Sequence, residues 1–244
     1  MNVDQKFDEA GSGAHTEELS YDGEVFNTKE IRLGFIRKVY LILSVQLLVT
    51  CGAVLLTYNV AAVRDFQNEY FWLYYVCIVV TIVTLYAIGC YKRVARNVPL
   101  NYSLLAVFTV CESYVVSALT AYYSSNDILI ATLFTGIIVI ALTIYALTTN
   151  TDFTMWGGAL FIFGFVLIFG SIMSFFWRNN LISIALSMLW AVLFGLYLVY
   201  DTQLIVGNKE NRFEIDDYVF AAISLYLDII GLFLQMLSLV SNKG

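Results

Sequence analysis

Residues 218–240 read Tyr218-Val219-Phe220-Ala221-Ala222-Ile223-Ser224-Leu225-Tyr226-Leu227-Asp228-Ile229-Ile230-Gly231-Leu232-Phe233-Leu234-Gln235-Met236-Leu237-Ser238-Leu239-Val240. A run of this length can cross a bilayer as a helix, for which about 20 apolar residues suffice, yet it carries Asp228 near its middle. A carboxylate at bilayer depth costs several kcal/mol, from ~2.5 upward, so the helix has to turn it towards protein or a water-filled cavity. Positions three, four and seven residues from Asp228 are Ala221, Ser224, Leu225, Gly231, Leu232 and Gln235, which gather small and polar groups on one stripe. That stripe is expected to avoid lipid, and the opposite face to be apolar.

Six more runs of this kind precede it, at about 39–58, 70–91, 101–123, 128–147, 156–177 and 181–200. With 60% hydrophobic and 13% charged residues in 244 and a mean hydropathy of +0.77, the chain is too apolar for a water-soluble domain of its size. The expected fold is all-α: a polytopic membrane protein with a seven-helix transmembrane domain over 27–244. Residues 1–26 combine Gly, Ser and acids with few large apolar groups, a composition that favours a disordered tail. The net charge of −6 is concentrated at this end. Residues 1–30 hold eight acids against Lys6 and Lys29, and the remainder balances at eleven and eleven. No basic face is present to meet phosphate, so no nucleic-acid partner is expected.

Orientation follows the basic residues near the span ends. Lys29, Arg32, Arg37, Lys38, Lys92, Arg93, Arg96, Lys209 and Arg212 fall on the side of the N-terminus, against Arg64, Arg178 and Lys243 on the other. The N-terminus and its acidic tail are therefore assigned to the cytosol. The sequon Asn101-Tyr102-Ser103 lies at the cytosolic start of the third span and is expected to carry no glycan. Pro99, the only proline, sits just before that span, where a fixed backbone angle suits a helix start.

The four cysteines, Cys51, Cys77, Cys90 and Cys111, all fall inside proposed spans and read as buried apolar residues. Enzymatic chemistry is not expected. His15, the single histidine, is in the tail, and no His-Glu-x-x-His motif occurs. Membrane aspartyl proteases also place aspartates in successive spans, but Leu225-Tyr226-Leu227 precedes Asp228 where their Gly-x-Gly-Asp signature would stand.

Three carboxylates lie within or at the edge of spans: Glu112, Asp201 and Asp228. Asp228 is about ten residues into its helix, roughly 15 Å deep at 1.5 Å per residue. Asp201 closes span six, where it is either a solvated helix-end residue or a partner for Asp228. The short loop between spans six and seven lets them lie antiparallel and bring the aspartates together. Two carboxyls sharing a site out of water resist double ionisation and can bind one proton between them, the design of a proton switch. Deprotonated, the same oxygens suit a hard cation such as calcium. Glu112 lies beside Thr109, Ser113, Ser117 and Thr120, a polar face that either lines a pathway or hydrogen-bonds across helices. Arg93, in the basic loop after span two, is either a carrier of the positive-inside signal or a latch that reaches in to Asp201.

The segments Tyr200-Asp201-Thr202-Gln203-Leu204-Ile205-Val206-Gly207 and Asp217-Tyr218-Val219-Phe220-Ala221-Ala222-Ile223-Ser224-Leu225-Tyr226-Leu227-Asp228-Ile229-Ile230 closely resemble the transmembrane Bax-inhibitor-motif family, and its lifeguard branch in particular. Ile31-Arg32-Leu33-Gly34-Phe35-Ile36-Arg37-Lys38-Val39-Tyr40, Pro99-Leu100-Asn101-Tyr102 and Asp152-Phe153-Thr154 add to the likeness, which runs from about residue 30 to 240. The resemblance implies a bundle with the last helix central and six around it. It also implies a pH-sensitive calcium leak in which the aspartates at the positions of Asp201 and Asp228 take up protons, lowering store calcium and suppressing cell death. The latching arginine of bacterial relatives falls on Arg93 by position, with Lys92 or Arg96 as substitutes in a longer loop. Calcium is then the transported ion, with no cofactor, and the partners are lipid, calcium and protons, together with death-pathway or receptor proteins. A Golgi or endoplasmic reticulum membrane is the expected location. The alternatives are a calcium/proton exchanger built on the same carboxylates and a non-conducting membrane adaptor for apoptosis or receptor partners.

Overall fold

The computed structural model describes residues 3–176 and 179–241, the side chains of 3–28 and Lys92 apart. Among the described residues there is no strand. Nine helices follow in order: α1 (Val3–Asn59), α2 (Ala61–Glu69), α3 (Trp72–Cys90), α4 (Lys92–Arg96), α5 (Leu100–Thr120), α6 (Ser125–Thr148), α7 (Gly157–Phe176), α8 (Asn180–Val206) and α9 (Tyr218–Ser241). Short 3₁₀ turns at Phe153–Trp156 and Ile215–Asp217 lead into α7 and α9. The expectation of a disordered tail over 1–26, and the reading of His15, concern residues whose side chains lie outside the description.

Among the described residues, seven segments are long and apolar enough to cross a bilayer: Lys29–Asn59, Trp72–Cys90, Leu100–Thr120, Ser125–Thr148, Phe153–Phe176, Asn180–Val206 and Ile215–Ser241. Each overlaps one of the seven runs read from the sequence, the first and the sixth extending past it. Their outer faces carry large apolar side chains left open, among them Leu41, Leu48, Ile137, Phe161 and Phe165. In water such a belt would exceed any patch a soluble monomer exposes; in a bilayer it meets hydrocarbon. The protein is an integral membrane protein.

Local chemistry sets the helix ends. Ser124 caps α6 by accepting from the Asp127 N–H at 3.2 Å, and Asn179 caps α8 by accepting from the Leu181 N–H at 2.9 Å. At its other end α8 stops at Gly207, which takes a left-handed φ of 71° and returns its N–H to the Gln203 carbonyl at 2.9 Å. Asp201 therefore does not close the sixth span as the hydropathy suggests. The helix continues to Val206, and Asp201, Thr202 and Gln203 are all buried within it.

The core gathers around α9. It packs on α8, α6 and α1 and also meets α5 and α3, while α7 stands outside against α8. Val219, Ala221, Ala222, Ile223 and Tyr226 of α9 are fully buried beside Phe35 and Val39 of α1, Phe108 of α5 and Ile205 of α8. The stripe around Asp228 is covered as expected, but so is the opposite face: no residue from Tyr218 to Val240 is exposed. Asp228 thus lies in a helix that is surrounded by others. The bundle end where α1 enters, with α4 and the starts of α5 and α9, is called the near end below; the other, with α2, is the far end.

Candidate functional site

Asp201 on α8 and Asp228 on α9 are each 7% exposed, and their side chains come within hydrogen-bonding reach of each other. Ionised carboxylates only accept, so such a contact needs one proton on the pair. No donor among the described residues reaches the buried Asp228 Oδ2. Among the described residues no Lys or Arg pairs with either carboxyl. Tyr197 lies within electrostatic range of both aspartates and Tyr200 within range of Asp201. Among the described residues the surroundings include these phenols and no paired Lys or Arg.

The closeness of α8 and α9 here depends on Gly231, three residues beyond Asp228. A Cβ at that position would meet the Phe194 ring at 2.5 Å, so only glycine lets the ring lie against the backbone. Phe194 is in turn stacked on Trp190, with ring centroids 5.6 Å apart.

The near end of α8 is held by three further groups. Gln203, 1% exposed, accepts from the Phe153 N–H at 2.8 Å and donates to the Thr151 carbonyl at 3.0 Å and that of Ala146 at 3.4 Å. Asp152 accepts from the Thr154 N–H and hydroxyl and, through its other oxygen, from the Glu210 N–H. The Thr154 hydroxyl holds the Asp152 carboxyl below its ordinary pKa of 3.8, helped by the backbone donors and Lys209. Lys209 donates to the Thr149 and Asn150 carbonyls. Third, the Arg32 guanidinium of α1 donates to the carbonyls of Leu204, Phe213 and Val206 at 2.5, 2.7 and 3.3 Å. The Asp152-Phe153-Thr154 motif is accordingly a joint between the segment before α7 and the strap from α8 to α9.

A family model described as Inhibitor of apoptosis-promoting Bax1 matches residues 32–244. The chain belongs to the Bax-inhibitor family. It is 32% identical to protein lifeguard 3 of Homo sapiens over 223 residues, 90% of this chain and 72% of that protein. It is 35% identical to protein lifeguard 4 of Mus musculus over 207 residues, 85% of this chain and 84% of that protein.

Of the loop residues of this Bax-inhibitor chain named as a possible latch, Arg93 and Arg96 are placed differently. Arg93 is exposed, and among the described residues it makes no ion pair or hydrogen bond with Asp201. Arg96 closes this corner instead. Its Nε donates to Asp217 at 2.9 Å and its Nη2 to Glu214 at 2.6 Å. Because α4 is helical, Arg96 lies one turn nearer the strap than Arg93. Beside it, Lys38 stands 3.3 Å from the centroid of the Tyr218 ring, and the Tyr218 hydroxyl accepts from Asn101 Nδ2 at 2.8 Å. Asn101 is fully buried, a second reason for the sequon to remain bare.

Glu112 does not join the aspartates. It is half-buried on α5 beside Thr81 of α3, with Tyr74 and Tyr226 in electrostatic range. The polar stripe next to it is buried against α1: Gln46 donates to Thr109 at 3.2 Å, and Thr50 lies 2.9 Å from Ser113 and 2.8 Å from the Tyr226 hydroxyl. At the far end Gln67 of α2 donates to Thr57 and Ser117. Of the two readings offered for this stripe, bonding across helices is the one these contacts describe. A cavity of about 320 Å³ opens beside it, lined by Val49, Leu56, Phe66, Gln67 and Tyr114 among others.

The described residues hold no group of three or more Cys, His, Asp or Glu placed to bind a metal ion. Asp201 and Asp228 offer at most four oxygens, whereas calcium takes six to eight. The pair alone does not complete a calcium coordination shell.

Proposed function

We propose that the protein is a proton-gated calcium leak of an intracellular membrane, in the Golgi or endoplasmic reticulum, with its near end in the cytosol. The observation that carries this reading is the buried contact between Asp201 and Asp228, which requires a proton. While the proton is present, the two carboxyls join α8 to α9. Once it leaves, two like charges face each other, with no Lys or Arg among the described residues paired to either. At about 4 Å and an effective dielectric near 20 that repulsion is about 4 kcal/mol, enough to change an open-to-shut ratio about a thousandfold. The sign follows: the leak is shut in acid and opens as pH rises.

Arg96, gripping Asp217 and Glu214, is the latch of the near-end mouth in this reading, in place of Arg93. Glu112 stands apart from this gate, beside the polar seam that bonds α5 to α1. Lowering the calcium held in stores would account for a cell-protective role of the kind the family description names. The test is calcium flux into proteoliposomes from about pH 5 to about pH 8, with simultaneous proton measurement. An exchanger built on the same carboxyls moves protons in fixed ratio to calcium; a leak does not. An adaptor carries no flux at all.

A further inference from the structure

Arg32 comes from the start of the first membrane span, yet each of its hydrogen bonds to carbonyl groups goes to the end of the sixth span or to the strap beyond it. The last carbonyls of any helix lack partners within it, and a cation there also meets the negative end of the helix dipole. Leu204 and Val206 supply two such carbonyls, and Phe213 supplies the third from the strap, where its own N–H returns to the Leu204 carbonyl at 3.1 Å. The guanidinium is braced from the side by the Phe35 ring, 4.7 Å from centroid to cation. It also fills the space a side chain at residue 207 would need: a Cβ on Gly207 would stand 2.5 Å from Nη2 and 2.7 Å from Nε. Gly207 is therefore required twice, by its left-handed backbone and by the room it leaves. α1 and α8 touch at few other places, among them Tyr40 beside Thr202.

Asp201 lies three residues, less than one helical turn, before Leu204. We infer that Arg32 is a positioning residue for Asp201: by clasping the end of α8 to α1, it fixes the rotation at which the Asp201 carboxyl meets Asp228, and so keeps the near end shut. The inference rests on the reading of the carboxyl pair as the gate. Three carbonyls converging on one planar fork is an arrangement that guanidinium satisfies and ammonium satisfies only in part.

Calcium flux is measured in proteoliposomes at a pH where the wild type is mostly shut, for Arg32→Gln, Arg32→Lys, Gly207→Ala and the Arg32→Gln/Gly207→Ala double variant, with Asp228→Asn alongside. Hydrogen exchange over 204–213 is followed in the same proteins. Arg32→Gln and Gly207→Ala each raise resting flux several-fold and speed exchange over that segment, and Arg32→Lys recovers part of the closure. The double variant leaks no more than the leakier single one, because both break one clamp. Faster exchange in Arg32→Gln with flux at the wild-type level, or single effects that multiply in the double variant, overturns the inference. Should Arg32→Gln fail to fold, Arg32→Lys and Gly207→Ala carry the same comparison. Asp228→Asn is followed across pH: if its flux rises with pH as the wild type's does, the carboxyl gate itself is wrong and the inference falls with it; if its profile is flat and the clamp variants do not leak, only the inference falls.

Discussion

The carboxyls of Asp201 and Asp228 meet across the contact between α8 and α9, each buried to 7% exposure, and no Lys or Arg among the described residues pairs with either. A buried acid usually keeps a cation or several donors beside it. Among the described residues this pair has no such cation, so in the proposed reading the helix contact is conditional on protonation.

The fit of Phe194 over Gly231 sets how closely those helices approach. Gly231→Ala is expected to push the ring off its place against Trp190 and to destabilise the protein by about 1–3 kcal/mol, the usual cost of overpacking. Thermal unfolding in detergent measures it. Gly231→Ala combined with Phe194→Leu should recover most of the loss, whereas an unchanged midpoint in the single variant would mean that the ring moves aside freely.

Arg96 and Arg93 differ by one helical turn and should differ in effect. Arg96→Gln removes the bonds to Asp217 and Glu214 and is expected to raise resting calcium flux, while Arg93→Gln leaves it as it was. High salt should mimic Arg96→Gln, since the pair is partly open to solvent. Equal effects of the two substitutions would remove the latch from Arg96.

Gln203 satisfies three backbone groups from a position with 1% exposure. Gln203→Leu keeps the volume roughly but strands the Phe153 N–H and the Thr151 carbonyl, at ~1–3 kcal/mol for a buried unpaired group. Faster hydrogen exchange at 151–154 and a lower unfolding midpoint are the expected outcome. Unchanged exchange there would show that water takes over the bonds.

Asp152 gives the near-end joint an acid limit. Its folded pKa lies below the unfolded value of 3.8, so its contribution is fully present above about that pH and is lost as pH falls through the lower folded value. Exchange over 207–213 should quicken in the wild type below this window. Asp152→Asn should show fast exchange at neutral pH and little further acid response.

Much of this was legible in the chain because the bilayer is a strict solvent. An acid in the middle of a 23-residue apolar run has few places to go, so the burial of Asp228 and the seven spans could be read without coordinates. Asp201 was harder, because hydropathy falls at Asp201-Thr202-Gln203 and imitates a helix end. Only tertiary partners, such as the peptide groups that Gln203 engages, let the helix continue to Gly207. Arg32, Arg93 and Arg96 look alike to a rule that counts basic residues near span ends. What separates them is the carbonyls of residues 204–213 for Arg32 and the strap carboxylates for Arg96, contacts 118 to 181 residues away in sequence, which no local pattern encodes.

The most direct measurement is calcium flux through the purified protein in liposomes across pH, comparing the wild type with Asp201→Asn and Asp228→Asn. An asparagine keeps the size and can donate the bond that the proton supplies, yet cannot ionise. Flux through the wild type should therefore rise with pH, and both variants should remain shut with a flat profile. A variant with wild-type flux and an unchanged pH dependence would contradict the carboxyl gate.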